Sequence, residues 1–401
     1  MSSRRRDGYD RALVNVGFSL LTLFPGRVGG SESNVRGLLE QFAAGNGPAE
    51  VTVLANRHVM GAYEDLDRGP VSLCEVRSYR PGNSPPSRAL AMAGARVLRG
   101  RAARDVPLGL DLLHYPVTVP IPTTSLPRVT TVYDVQHHDM PHFFSRAERA
   151  FRRWAYDGAA RAADLVLTTS AWSRERLVEL LKLEPERVEV VHMGVDLERF
   201  TPAPAAIDER LPAELRLPDR FLVYPANLWP HKNHHRLIAA LARTRDRELR
   251  LVLTGRDYGR LEALMAEASS LGVRDRVLHL GYVERDALPA LYRLAEAMVF
   301  PSLYEGFGSP PLEAMACGCP VAASPRGSLA EICGGAALGI EPESTESIVT
   351  AIDRLSADGA LHERLATAGL ERARSFSWRT AAERHTAIYE RVCATSGASM
   401  R

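Results

Sequence analysis

Two carboxylates, a lysine and a pair of glycine- and histidine-bearing loops are the parts of this chain whose types and spacing could do chemistry. Glu305 and Glu313 bracket the run Glu305-Gly-Phe-Gly-Ser-Pro-Pro-Leu-Glu313. Gly306 and Gly308 free the backbone, and Pro310 and Pro311 suit the first turn of a helix, so Glu305 falls in a loop and Glu313 about one turn into the helix. A carboxylate accepts both hydroxyls of a vicinal diol, so two at this spacing could hold two sugar rings. Helix-capping surface acids would leave the intervening Gly-Phe-Gly unexplained. In Pro225–His235 (PANLWPHKNHH), Lys232 stands just ahead of a helical pattern. A cation beside a helix N-terminus suits a diphosphate; the alternative is an exposed surface lysine. Of 50 Lys+Arg only Lys182 and Lys232 are lysine, so a retained ammonium stands out.

Two further loops are candidates. In Pro25–Ser31 (PGRVGGS), Gly29 and Gly30 let the backbone approach a ligand where a helix N-terminus offers N–H groups to an anion. The spacing is not the dinucleotide fingerprint GxGxxG, and a tight turn capped by Ser31 is the alternative. Thr131–Ser145 (TVYDVQHHDMPHFFS) carries Asp134, His137, His138, Asp139 and His142. His and Asp can ligate a metal, but no pair here has helical i, i+4 spacing with a partner acid. Polar side chains facing a cleft are the favoured reading, a solvated loop the other.

Short apolar runs alternate with helical periodicity, which predicts parallel sheets with crossover helices. Strands are expected at Ala12–Phe18, Glu50–Ala55, Val71–Arg77, Asp111–Tyr115, Val129–Val135, Leu165–Thr168 and Val188–His192, with helices that include Ser31–Ala44, Arg88–Arg99, Ser145–Ala163 and Ser173–Leu183. Residues 196–219 hold four prolines and no clear period, which is linker composition. Alternation then restarts from Phe221–Tyr224, and three helical stretches, the last Trp378–Val392, close the chain. The expected fold class is α/β, with two Rossmann-like doubly wound domains facing a central cleft. The expected division is 1–200, a linker 201–219, 220–376, and a final helix within 377–401. Ligands of such sheets bind beyond the carboxyl ends of the strands, so the four loops should converge there.

Composition excludes several classes. A length of 401 residues suits two domains, and a net charge of +2 gives no global field for nucleic acid. The five cysteines are odd in number and unpatterned, which argues against a disulfide framework and for buried thiols in a reducing cytoplasm. Arg4–Arg6 before an apolar stretch loosely mimics a leader peptide, but Asp10, Asn15 and Gly17 interrupt it, and the stretch reads as the first strand. No apolar run reaches the ~20 residues that span a bilayer.

Taken together, these residues resemble family 4 of the glycosyltransferases, retaining enzymes of the GT-B fold that use nucleotide-diphosphate sugars. Glu305 to Glu313 is similar to that family's Glu-x7-Glu motif. Gly29-Gly30, His192-Met-Gly-Val-Asp196 with Phe200 and Pro202, Lys232 and Leu280-Gly-Tyr-Val283 add to the likeness. The resemblance implies that Glu313 binds the ribose hydroxyls, Glu305 faces the donor sugar, and backbone amides around Phe307, Gly308 and Ser309 contact sugar or diphosphate. It further implies that Lys232 neutralises the diphosphate, that Gly29 and Gly30 cover it from the opposite domain, and that Val283 and its neighbours hold the base.

The chain departs from the family at two places. Asn227 stands where many members have an arginine, leaving Arg256 as another cation that could contribute. Tyr133-Asp134 replaces a His-Asp pair, which leaves Asp134 and His137 as the favoured sugar contacts. The implied reaction moves a hexose, GDP- or UDP-linked with mannose favoured, to an unidentified hydroxyl with retention and without a metal or other cofactor. The acceptor is expected to be a small molecule, a saccharide or a lipid-linked one. A nucleotide-sugar epimerase, a phosphorylase of the same fold or a non-catalytic nucleotide-sugar binder are the alternatives. A cytoplasmic location follows, with peripheral membrane contact a role for Arg88, Arg96, Arg99, Arg101 and Arg104.

Overall fold

The computed structural model describes residues 14–26, 29–82, 85–97, 102–284 and 286–399. Runs of branched and aromatic residues bounded by Gly, Pro and Asn form thirteen strands among them, in two all-parallel sheets. The first sheet holds β1 (Asn15–Ser19), β2 (Glu50–Ala55), β3 (Val71–Glu75), β4 (Leu112–Tyr115), β5 (Arg128–Thr131), β6 (Leu165–Thr168) and β7 (Val188–Val190) in the order β3-β2-β1-β4-β5-β6-β7. The second holds β8 (Phe221–Pro225), β9 (Arg250–Thr254), β10 (Val277–His279), β11 (Ala297–Phe300), β12 (Val321–Ala323) and β13 (Leu338–Gly339) in the order β10-β9-β8-β11-β12-β13. Each sheet starts in its middle and reverses direction once, and such reversal points open the crevice in which doubly wound sheets bind ligands. The glycine loop follows β1, the Asp134 loop follows β5, and the Lys232 and Glu305 loops follow β8 and β11.

The helix Gly30–Ala43 buries Asn34, Val35, Leu38, Leu39 and Phe42, a 3.6-residue stripe packed on the first sheet. The final helix, Trp378–Ser399, returns to that domain. Its Trp378 ring lies where side chains on Gly37 and Gly194 would stand, so both positions must be glycine for the helix to dock. Tyr389 is buried, with its hydroxyl 2.7 Å from His114 Nδ1, and Arg391 pairs with Glu189.

Three expectations need correcting. The stretch expected as linker contains a helix, Ala206–Leu215, despite Pro212 inside it. Buried Leu211 and the Arg293 Nε–Asp208 hydrogen bond of 2.8 Å fasten it to the second domain, which offsets the helix-breaking cost of the proline. The expected continuous helix Ser145–Ala163 is instead Arg146–Arg152, a π-helical turn Arg153–Asp157, then Gly158–Ala162. The wider turn rotates Asp157 inward. β5 ends at Thr131 rather than Val135, because Asp134 Oδ1 accepts the Gln136 N–H at 3.0 Å and turns the chain.

Arg99 and Arg101 lie outside the described residues, as do the side chains of Arg88 and Arg96. No helix among the described residues is long and apolar enough to cross a membrane.

Candidate active site

The Lys232 and Glu305 loops are built against each other. Pro230–Lys232 forms one 3-10 turn that ends at Asn233, in left-handed backbone conformation at φ 63°. Buried Asn233 donates its amide to Pro301 O and Pro342 O at 3.0 and 2.7 Å, and His231 O accepts the Leu303 N–H at 2.7 Å. These bonds carry Lys232 Nζ to 2.6 Å from Glu305 Oε1, with both side chains largely buried at the cleft. The Tyr224 hydroxyl donates to Lys232 O at 2.7 Å, and burial first, then the nearby Glu305 charge, raises that phenol's pKa.

After Glu305 the backbone is gripped from both domains. The hydroxyls of Thr169 and Ser170 donate to Gly306 O at 3.2 and 2.9 Å, and that of Ser173 lies 3.2 Å away. A Cβ on Gly306 would stand 2.6 Å from Tyr133 O, so glycine permits this approach of the two halves. Ser328 donates to Glu305 O and Phe307 O at 2.9 and 2.8 Å. The Phe307 ring is buried against His192 and Phe376, so this residue can offer the cleft only its backbone. Gly308, at φ 107°, precedes the helix Ser309–Ala316, whose second and third residues are prolines without N–H groups. Glu313, one turn along, accepts a hydrogen bond from Tyr292 at 3.1 Å.

Across the cleft, Gly29 caps the helix Gly30–Ala43 at φ 69°. Among the described residues, a Cβ at Gly29 or Gly30 would meet nothing within 4 Å, which leaves space over them. Beside them Tyr133 is a strut. Its hydroxyl accepts from Asn34 at 2.9 Å and donates to Pro116 O at 3.0 Å, and burial raises its pKa. Asp134 remains half-buried beside Gly306.

His137 is a correction. It is 1% exposed, and its Nε2 lies 2.9 Å from Asp157 Oδ1, while His138 Nε2 takes Asp157 Oδ2 at 2.8 Å. The structure turns this ring to Asp157 and away from the open cleft. Burial pushes the Asp157 pKa up, but the two histidine hydrogen bonds outweigh it and hold the carboxyl below its ordinary value. These three residues each offer one ligand atom within 4.8 Å of the others. Each Nε2 is directed at its own carboxylate oxygen, however, so the geometry is that of a hydrogen-bonded clamp behind Asp134. Sequence reasoning missed Asp157 because the π-helical turn, invisible in a 3.6-residue period, brings it there.

Asn227 is turned to a neighbouring loop. Its Oδ1 accepts the Arg256 N–H at 2.8 Å. Val283, after β10, is half-buried and packs on the core of the second domain. Also unforeseen was Glu331, which accepts the Ala171 N–H at 2.8 Å and holds His192 Nε2 at 2.6 Å. It caps a helix of the first domain from the second. Ser170 beside Ser173, right after a strand, was the available sequence signal for that helix start.

Two doubly wound domains that face a cleft, with an acidic glycine-rich loop of one beneath a glycine-led helix of the other, define a glycosyltransferase of the GT-B type. Residues 28–199 match the family described as Glycosyltransferase Family 4, and residues 208–372 that described as Glycosyl transferases group 1. The MMP alpha-(1->4)-mannosyltransferase of Mycolicibacterium hassiacum is 31% identical over 81% of this chain and 80% of its own. O-antigen chain mannosyltransferase B of Escherichia coli is 30% identical over 62% of this chain and 66% of its own. The D-inositol 3-phosphate glycosyltransferase of Salinispora arenicola is 37% identical, but the chain spans only 52% of its length. In fold, the chain is similar to sucrose-phosphate synthase of Thermosynechococcus elongatus (TM-score 0.74, 22% identity, 95% and 100% of the two chains). It is also similar to HepE of Anabaena, solved with UDP and glucose (TM-score 0.71, 22% identity, 94% and 99%). The chain belongs to the group 1 glycosyl transferases, within glycosyltransferase family 4.

Proposed function

We propose that this enzyme transfers a hexose from a nucleoside-diphosphate sugar to an acceptor hydroxyl with retention at the anomeric carbon and without a metal ion. The observation that carries the reading is the Lys232–Glu305 pair, 2.6 Å apart, set in a cleft whose opposite wall is the open face of Gly29 and Gly30. A donor diphosphate would draw the ammonium from Glu305 and leave that carboxylate to accept sugar hydroxyls. Glu313 would take the ribose, Val283 would flank the base, and the backbone from Phe307 to Ser309 would lie along the sugar. Asp134 would face the sugar from the other domain.

In this mechanism the bond between the anomeric carbon and the diphosphate oxygen breaks, and the acceptor oxygen bonds to the same face. The acceptor's proton passes to the departing phosphate, so no protein nucleophile is needed. Lys232 and backbone N–H groups stabilise the charge that grows on the leaving group. Domain closure keeps water from competing as acceptor. Mannose is the favoured sugar, supported by two mannosyltransferases among the relatives. A nucleotide-linked donor is supported by HepE, solved with UDP-glucose. The acceptor is a saccharide or a small or lipid-linked molecule.

The experiment is nucleotide-sugar binding and turnover of Lys232→Ala and Glu313→Ala. Each should lose roughly 2–4 kcal/mol of transition-state or donor stabilisation, as for a deleted charge-stabilising donor. Unchanged donor affinity in both variants would sink the assignment. Turnover of the donor without any acceptor, to an epimerised sugar, would replace transfer with epimerisation.

A further inference from the structure

Arg256 reaches across the cleft, and the loops on either side of β8 show what it is placed to do. β8 lies between β9 and β11. On the β11 side its loop delivers Lys232 to Glu305. On the β9 side Asn227 Oδ1 accepts the Arg256 N–H at 2.8 Å, and Arg256 O accepts the Leu228 N–H at 3.0 Å. Val283 follows β10, one strand further out. In sheet order the ends of β9 and β8, whose loops carry Arg256 and Lys232, therefore stand between Val283 and Glu305. Arg256 stands on the Val283 side of that interval and Lys232 on the Glu305 side.

The Arg256 guanidinium lies 5.2 Å from the centre of the Tyr282 ring, and its Nη2 donates to Gly26 O of the other domain at 2.7 Å. The Gly26 N–H is held by both oxygens of Glu32 at 2.9 and 2.8 Å. Arg256 thus grips the anchored end of the loop that leads to Gly29. A neutral carbonyl is a weaker partner for a guanidinium than a phosphate, whose paired anionic oxygens match its fork.

We propose that Arg256 is a second cation of the donor site, bound to the nucleotide-side phosphate, and that in the empty protein the same guanidinium latches the two domains through Gly26. The proposal rests on the nucleotide-sugar reading above. Donor entry exchanges the Gly26 carbonyl for phosphate, so binding the nucleotide and releasing the latch are one event.

Calorimetric titration of guanosine and uridine, their monophosphates and their diphosphates into wild type, Arg256→Ala, Arg256→Lys and Lys232→Ala tests this. Arg256→Ala should bind mono- and diphosphate alike about tenfold or more weaker, the loss expected for a charged hydrogen bond. It should bind the nucleoside unchanged, and Arg256→Lys should recover part of the loss. Lys232→Ala should weaken the diphosphate alone. Loss of the one hydrogen bond to Gly26 O should lower the melting temperature of Arg256→Ala by no more than about a few degrees, which separates lost phosphate binding from unfolding. Monophosphate affinity unchanged in Arg256→Ala, or nucleoside affinity lost along with it, overturns the assignment and leaves the nucleotide reading intact. Wild-type protein that binds neither diphosphate overturns that reading and the proposal together.

Discussion

Lys232 and Glu305 neutralise each other, which lets a largely buried cation and a largely buried carboxylate stand together in the cleft. Removing either alone leaves the other buried and unpaired, and breaking such a pair is costly. Glu305→Gln should therefore lower stability as well as turnover, whereas the exchange of both for Gln and Met should restore the melting temperature without restoring activity. Gly30 makes the opposite case. It has ordinary helical backbone, and among the described residues nothing stands within 4 Å of where its Cβ would go. Gly30→Val should change unfolding free energy by no more than about 1 kcal/mol, near the ordinary helix-propensity range. Its turnover should collapse if that space belongs to the donor. A Gly30→Val enzyme that retains wild-type KM for its donor would remove the glycine loop from the site.

At the scale of elements, glycines decide where the parts meet. A Cβ at Gly306 would press on Tyr133 O, so Gly306→Ala should part the seam between the Glu305 loop and the first domain, at about 1–3 kcal/mol for overpacking. Trp378, 9% exposed between Gly37 and Gly194, fastens the last helix. Trp378→Ala should cost about 3–5 kcal/mol in urea unfolding. These elements were legible to different degrees. Buried parallel strands such as Leu251-Val252-Leu253 are continuous apolar runs, and the two carboxylates, the lysine and the glycines carry their own local signals. The π-helical turn at Arg153–Asp157 and the helix around Pro212 break the local rules, and tertiary partners hold them in place. The partners of His137 and Asn227 were illegible for the same reason. Asp157 and Arg256, which claim their side chains, lie 20 and 29 residues away.

The whole molecule carries several histidines that are neutral because they are buried. Burial depresses the pKa of His385 to about 4, of His234 to about 3 and of His231 to about 2, from 6.5 in the open chain. Above pH 6.5 neither state binds these protons. As pH falls below 6.5 the unfolded chain takes them up and the folded protein does not, so stability is lost on acidification. Each group should contribute a slope approaching about 1.4 kcal/mol per pH unit. Urea midpoints between pH 6.5 and 4.5 should fall steeply, and His385→Asn should flatten the curve by one proton's worth. An unchanged slope in that variant would show that His385 is protonated in the fold.

The grip of Thr169, Ser170 and Ser173 on Gly306, together with Glu331 on the helix that follows, bears on how such enzymes can be recombined. Exchanging the second domain for a relative's is a natural route to a new donor sugar. The Glu305 loop of that domain is fastened to residues outside the exchanged segment, as is the last helix through Gly37 and Gly194. A chimera cut at the linker alone would inherit a mismatched seam. One that also imports the counterparts of residues 169–173 and leaves the final helix with its original partner keeps the transplanted site in register.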